Sequence, residues 1–236
     1  MTQPKKPILS GAASSDYENY LRTSELLRLQ KGPDEWIHRD ELLFTVVHQT
    51  SELWLKLMTN EVIEAVQQLR LSNVRESHRL LGRAVLCITQ AYSALDVLEK
   101  MSPCDYQQVR EALGHGSGFD SPGFKQLRQV VPLLEVELNR MLDENKLDLL
   151  IVLLNDRLHE DFYQLAEWLI ELDERVTLWR LRHFQVVKRT IGFSSHGTQG
   201  TPVEFLNRLN SFTFFPTIWN TRNELTKLSE TRYNQS

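Results

Sequence analysis

Trp36-Ile-His-Arg-Asp-Glu-Leu-Leu-Phe-Thr-Val-Val-His-Gln-Thr-Ser-Glu-Leu-Trp54 is the stretch on which the fold turns. Its apolar residues Leu42, Leu43, Val46, Val47, Leu53 and Trp54, continued by Leu57 and Ile63, recur every three or four positions. That is the period of one helix face. A long helix is expected to open at Asp34 or Glu35 and to run to about Leu71. His48 lies inside its apolar stretch. A second segment, Leu178-Trp-Arg-Leu-Arg-His-Phe184, followed by Thr190-Ile-Gly-Phe193, sets His183 in similar surroundings far along the chain.

Outward from these segments the same period continues. Asp16–Leu29 reads as a short helix with Tyr17, Tyr20, Leu21, Leu26 and Leu27 on a sticky face. Asn73 is placed to cap a helix carrying Leu80, Leu81, Val85, Ile88, Leu95 and Leu98. Pro103 starts a short helix to about Leu113, and His115-Gly-Ser-Gly-Phe119 is a glycine loop. Ser121-Pro122 suits an N-cap followed by proline in the first turn. Helix is then expected to about Thr190, broken near Asp143–Lys146. A loop, Ser194–Thr201, leads to a helix from Pro202, and Phe214-Phe215-Pro216 closes the last apolar cluster. No window alternates with period two, so the expected class is all-α, a helical bundle. The expected organisation is a flexible arm over 1–15, one helical domain over 16–228 and a polar tail over 229–236.

Composition narrows the function classes. A formal net charge of −4 over 236 residues gives no basic surface for nucleic acid. No apolar run approaches the roughly 18 residues of a membrane span, since Leu147–Leu154 is short and contains Asp148. Residues 1–15 have no apolar core of a secretory leader. The two cysteines, Cys87 and Cys104, make no disulfide framework, so a reducing, cytoplasmic setting is expected. Without Cys-x-x-Cys-His, any haem would be held non-covalently.

Taken singly, the notable residues have ordinary readings. His183 suits a helix histidine bonded to a backbone carbonyl, and His48 an i,i+4 partner of Glu52. Phe44 suits the core, and Arg110 a surface ion pair with Asp105 or Glu111. The chemical readings are sharper. A bare metal site needs several ligands, and none accompanies His183 at ligand spacing. A porphyrin supplies four ligands itself, so one histidine suffices to hold haem iron. A second buried histidine can then act on whatever binds opposite. An arginine one turn after Tyr106, ahead of a glycine loop, suits a carboxylate clamp. That loop lacks the lysine and spacing of a phosphate cradle.

Together these pieces resemble the tryptophan 2,3-dioxygenase superfamily of haem-dependent aromatic oxygenases, from Tyr17 to about Arg222. The resemblance is carried by Tyr17-Glu-Asn-Tyr-Leu21, His38-Arg-Asp-Glu-Leu-Leu-Phe44 and His48-Gln-Thr-Ser-Glu-Leu-Trp54. Tyr106 and Arg110 ahead of Ser117-Gly-Phe119, Leu178-Trp-Arg-Leu-Arg-His183 and Thr213-Phe-Phe-Pro216 complete it. It implies an all-α bundle binding haem b, with O2 as co-substrate and His183 as axial iron ligand. His48 would sit on the opposite face, beside the oxygen and the indole N–H, as the catalytic histidine. Phe44 would pack on the indole, Arg110 would clamp the substrate carboxylate, and Tyr106 and Ser117 would line the pocket. Tyr17, Tyr20 and Leu21 would enter a neighbouring subunit's site in a homotetramer with exchanged N-terminal segments.

The sequence departs from the family's pattern in two places. The stretch from Phe119 to His183 is short, as though a helical insertion were missing. The family's Gly-Thr-Gly-Gly-Ser loop, whose threonine helps hold the substrate ammonium group, reads Gly197-Thr-Gln-Gly-Thr201, with Thr198 as counterpart. Both touch the substrate side. The implied reaction is oxygen insertion into the indole of tryptophan or a substituted tryptophan, giving N-formylkynurenine. The superfamily also contains an enzyme of maremycin biosynthesis that makes a 2-oxindole from β-methyltryptophan, an alternative needing the same groups. A haem-based oxygen sensor or carrier is the rival of another class, and it has no need of Arg110.

Overall fold

The computed structural model describes residues 7–233, without the side chains of 229 and 231–233. Two short helices, α1 (Asp16–Leu21) and α2 (Thr23–Leu26), open it. Ser15 caps α1 by accepting from Glu18 N, and Arg22 in the left-handed region separates the two. One helix was expected over Asp16–Leu29; the break at Arg22 divides it. Residues 7–15 lie over α1, with the Ile8 and Leu9 amides donating to Asp16. Residues 1–6 and 234–236 of the expected arm and tail lie outside the described residues.

The long helix α3 runs Asp40–Arg70. It starts later than expected because Pro33–Glu35 form a 3₁₀ turn and Trp36 is extended. Glu41 then closes the entry, accepting from Ile37 N at 2.6 Å and from Lys31 Nζ at 2.7 Å. Ser72, at φ 60°, turns the chain into α4 (Val74–Leu98). Asn73 stands at the N-cap position of α4 without a side-chain cap bond; its amide donates to Gln68 instead.

Next come α5 (Pro103–Leu113), capped by Ser102, and α6 (Pro122–Val130), capped by Ser121. Both have proline in the first turn, where its missing N–H leaves no acceptor unpaired. The expected helical stretch to Thr190 is broken three times. Pro132 separates α7 (Leu133–Glu144) from α6, residues 145–148 lead to α8 (Leu149–Leu154), and 155–159 lead to α9 (Glu160–Ile191). The last helices are α10 (Glu204–Arg208) and α11 (Pro216–Tyr233). Among the described residues the only β pairing is the isolated bridge between His196 and Pro202. The expected all-α class is the observed one.

The core follows the helical period. Leu55, Met58, Val62 and Leu69 of α3 meet Leu81, Ala84, Ile88 and Ala91 of α4 and Leu165, Leu169, Leu172 and Val176 of α9. Each fully buried leucine contributes roughly 1.5–3 kcal/mol relative to exposure. Helix α4 packs along both α3 and α9, more extensively than those two meet each other. A second, smaller cluster joins Val47, Leu95, Leu98, Val109 and Val186. Between the two clusters α3 and α9 stand apart, and a cavity opens.

Candidate active site

That cavity, about 270 Å³, is lined by α3, α4, α5, α6, α9, α10 and the loops between them. It is far larger than the water-sized voids of a packed interior. His48 comes from α3 and His183 from α9, and both line it with Phe44, Tyr106, Ser117 and Thr198. Six of the residues expected from the sequence are therefore brought together. Of the others, Arg110 stands beside the cavity without forming its wall. Tyr17, Tyr20 and Leu21 lie on α1, 68%, 78% and 47% exposed, and line no part of it.

His48 lines the cavity and keeps an exposed face, although protein packs closely around its ring. Its Nδ1 lies 2.7 Å from the Phe44 carbonyl. A carbonyl only accepts, so Nδ1 carries the proton and Nε2 presents a lone pair. Burial lowers the pKa of His48, against opposing contributions from the Phe44 bond and Glu52. The ring stacks on Phe44, centroids 4.0 Å apart. The i,i+4 pairing of His48 with Glu52 is not formed. Glu52 instead accepts from Ser121 Oγ at 2.5 Å and Gly123 N at 2.9 Å, tying α3 to the start of α6.

His183 makes no side-chain hydrogen bond among the described residues, so the backbone-bonded reading does not hold. Its ring lies parallel to Trp179, 4.9 Å away at 8°, and Trp179 touches Phe124 at 4.2 Å. Burial, with the neighbouring His48, pushes its pKa down to about 4. A neutral, unpartnered imidazole facing a cavity is what a haem iron requires of an axial ligand. The buried Trp179 Nε1 beside it also lacks a partner. Among the described residues no group of three or more His, Cys, Asp or Glu is placed to hold a bare metal ion. The donor set thus fits haem, which brings its own equatorial ligands.

The substrate side is built by two loops stapled together. Thr198 Oγ1 donates to Gly116 O at 2.5 Å, and Gln199 Nε2 donates to His115 O at 3.1 Å and Asp120 at 2.8 Å. Arg110 Nη2 donates to His196 O at 3.1 Å, so it holds this loop rather than pairing with Asp105 or Glu111. Gly114, at φ 59°, ends α5 in a conformation that glycine adopts without strain. Tyr106 is half-buried beside Phe44, and burial raises its pKa against the Arg110 charge. Its phenol is a protonated donor at neutral pH.

Sequence reading passed over Arg128, Arg180 and Glu52 as wall residues. Arg180 carried a usable signal, because it precedes His183 by three and shares its helix face. Arg128 and Glu52 carried none, since only the packing of α6 on α3 brings them here.

The family model for tryptophan 2,3-dioxygenase matches residues 3–145. The chain is similar to the tryptophan 2,3-dioxygenase of Ruegeria sp., 32% identical over 91% of this chain and 94% of the relative. It is similar to that of Bordetella parapertussis, 30% identical over 94% and 95%. The Myxococcus xanthus enzyme is 28% identical over 91% of each chain, along 266 aligned residues. An alignment longer than the 236 residues of this chain means that the relative carries segments absent here. No helix among the described residues is long and apolar enough to cross a membrane.

Proposed function

The chain belongs to the tryptophan 2,3-dioxygenase family, and we propose that it is a haem-dependent oxidoreductase that adds both atoms of O2 across indole C2–C3 of tryptophan or a substituted tryptophan, yielding N-formylkynurenine. The observation that carries this reading is the pair of uncharged histidines, His48 on α3 and His183 on α9, on the wall of one cavity. Haem b bound there would supply the oxygen chemistry.

The remaining work falls to the chain's own residues. His183 would hold the iron, its ring plane set by the parallel Trp179. His48 Nε2 would accept the indole N–H, because Nδ1 is already committed to Phe44 O. Phe44 would pack on the indole face. Arg110 would clamp the substrate carboxylate, since its bond to His196 O uses one of five guanidinium donors. Tyr106 and Ser117 would line the pocket, and Thr198 would face the ammonium group. Holding the substrate against the reacting group in this way converts binding into a proximity effect.

Exposed Tyr17, Tyr20 and Leu21 support an assembly in which α1 enters a neighbouring subunit's site, as in a homotetramer. The domain bounds 16–228 and a cytoplasmic location, consistent with two unpaired cysteines, belong to the same proposal.

The test is a visible spectrum of the purified protein, followed by mass spectrometry of the product made from tryptophan and from β-methyltryptophan under isotopic O2. A Soret band and two labelled atoms are expected. One labelled atom would mean 2-oxindole formation, and a Soret band without product would mean an oxygen sensor or carrier. Either result overturns the dioxygenase reading.

A further inference from the structure

Two arginines on the cavity wall, Arg128 and Arg180, form no ion pair among the described residues. Arg180 is nevertheless held in place. Its Nη1 donates to Phe212 O at 2.9 Å, and its guanidinium carbon stands 5.2 Å from the ring centroids of both Phe212 and Phe214. Most of its five N–H donors remain without an acceptor. The Asp173 carboxylate attracts the Arg180 charge without forming an ion pair with it; its Oδ2 accepts from Phe214 N at 3.0 Å and Trp219 Nε1 at 2.9 Å. Burial works most strongly against the Arg180 charge, Asp173 offsets part of that, and Arg128 is close enough to repel it. Two neighbouring cations beside a largely apolar cavity are unfavourable unless the occupant brings the anions.

The face of α9 indicates which edge of the occupant that is. Arg180 lies one turn before His183 on the same face. After His183 the wall continues with Val186, Val187, Thr190 and Ile191. The Thr190 hydroxyl is turned inward, donating to Val186 O at 2.8 Å. This wall therefore carries its one cation, Arg180, on the N-terminal side of His183, next to Val176 and Trp179, and carries none on the C-terminal side. Haem b has the same asymmetry, with two carboxylates on one edge and hydrocarbon groups around the rest.

We infer that Arg180 and Arg128 hold the two haem propionates, which sets the carboxylate edge toward the N-terminal side of His183 and the apolar edge against Val186 and Val187. The inference rests on the haem reading above and adds an orientation to it. Arg180, fixed by two aromatic rings and a carbonyl, is the preorganised partner. Arg128, on α6 and more exposed, is the adjustable one.

The experiment measures haem loss to excess apomyoglobin from wild type and from the R128Q, R180Q and double variants. Each is loaded with haem b or with its dimethyl ester, whose carboxylates are capped. Circular dichroism and melting curves establish that the variants are folded. The double variant is expected to lose haem b at least about ten-fold faster than wild type, about 1.4 kcal/mol, while the ester leaves both at one rate. Wild type alone gives a second reading free of any folding defect, since it should hold haem b longer than the ester. Equal haem b loss from wild type and double variant overturns the inference. So does a variant effect of the same size with the ester. Unchanged haem retention with weakened tryptophan binding would assign the arginines to the substrate carboxylate instead. If wild type takes up no haem, the reading beneath the inference fails with it, and this is visible before any variant is compared.

Discussion

His48 Nδ1 and the Phe44 carbonyl lie 2.7 Å apart within one turn of α3, and this contact settles which ring nitrogen of His48 is free. With Nδ1 protonated, Nε2 is an acceptor in the cavity and cannot be a donor unless the ring gains a charge. Burial opposes that charge.

His48→Ala is expected to keep its haem, because the ring is not the iron ligand. Turnover should fall by no more than about 100-fold, the low end for acid–base groups, since this histidine orients a substrate rather than moving a proton through the slow step. Burial holds the folded pKa below the ordinary imidazole value of 6.5, so wild-type turnover should be level through neutral pH and fall only on the acid side. Steady-state rates per haem across pH test this. A fall that begins above neutrality would contradict the neutral-acceptor role.

His183→Ala should abolish stoichiometric haem retention. The only other histidine lining the cavity is His48, on α3 rather than on α9 beside Trp179. Haem content by absorbance after gel filtration is the measurement. A variant with full haem and an unchanged spectrum would refute the axial assignment.

Arg110→Ala should weaken tryptophan binding roughly ten- to a hundred-fold, the usual contribution of a charge-assisted pair of about 1.5–3 kcal/mol. Haem content should not change, because Arg110 holds the His196 loop and is not bonded to His183 or Trp179. The variant also releases His196 O, so loop 196–202 should become more open to proteolysis. Ligand titration and limited digestion read the two effects separately.

Gly123→Ala should destabilise the fold by about 1–3 kcal/mol, the common penalty for overpacking. A Cβ at this position would fall 2.7 Å from Leu55 Cβ and 2.8 Å from Glu52 Oε2. Helix α6 would have to move away from α3, loosening the Gly123 N to Glu52 bond. A melting temperature equal to wild type would show that α6 sits on α3 less tightly than described.

Glu41→Gln should lower the melting temperature at pH 7, with the difference shrinking in acid. The Lys31 bond, against burial, holds the Glu41 carboxyl below its ordinary 4.5, helped by Ile37 N. A carboxyl with a depressed folded pKa stabilises above its unfolded value, and that contribution disappears as pH falls through the folded value. Melting curves of both proteins between pH 7 and pH 3 should therefore converge below about 4.5. A constant gap would mean that shape, not charge, makes Glu41 useful.

Local rules accounted for the helix starts that depend on local residues. Pro103 after Ser102 and Pro122 after Ser121 begin helices where the sequence predicts them, because cap and first turn are made by neighbours in sequence. The start of α3 at Asp40 was not legible, since it depends on Glu41 reaching back to Lys31, ten residues away. Pro132 and the 155–159 break were also passed over, because the apolar period runs on through both.

The sequence by itself determined the all-α class, the long helices carrying His48 and His183, and the family, since periodicity and motif order are properties of the chain. Tertiary structure decided what those residues face. Helix α4, packed on both α3 and α9, leaves the space into which the two histidines open. It also gave Glu52 to Ser121 and Gly123, turned Arg110 to the His196 carbonyl, and put Arg128 and Arg180 on one wall. The physical reason is range. Helix period and caps act over three or four residues, whereas Glu52 and Ser121 are 69 residues apart and Arg110 and His196 are 86 apart, so only close packing of separate helices can pair them.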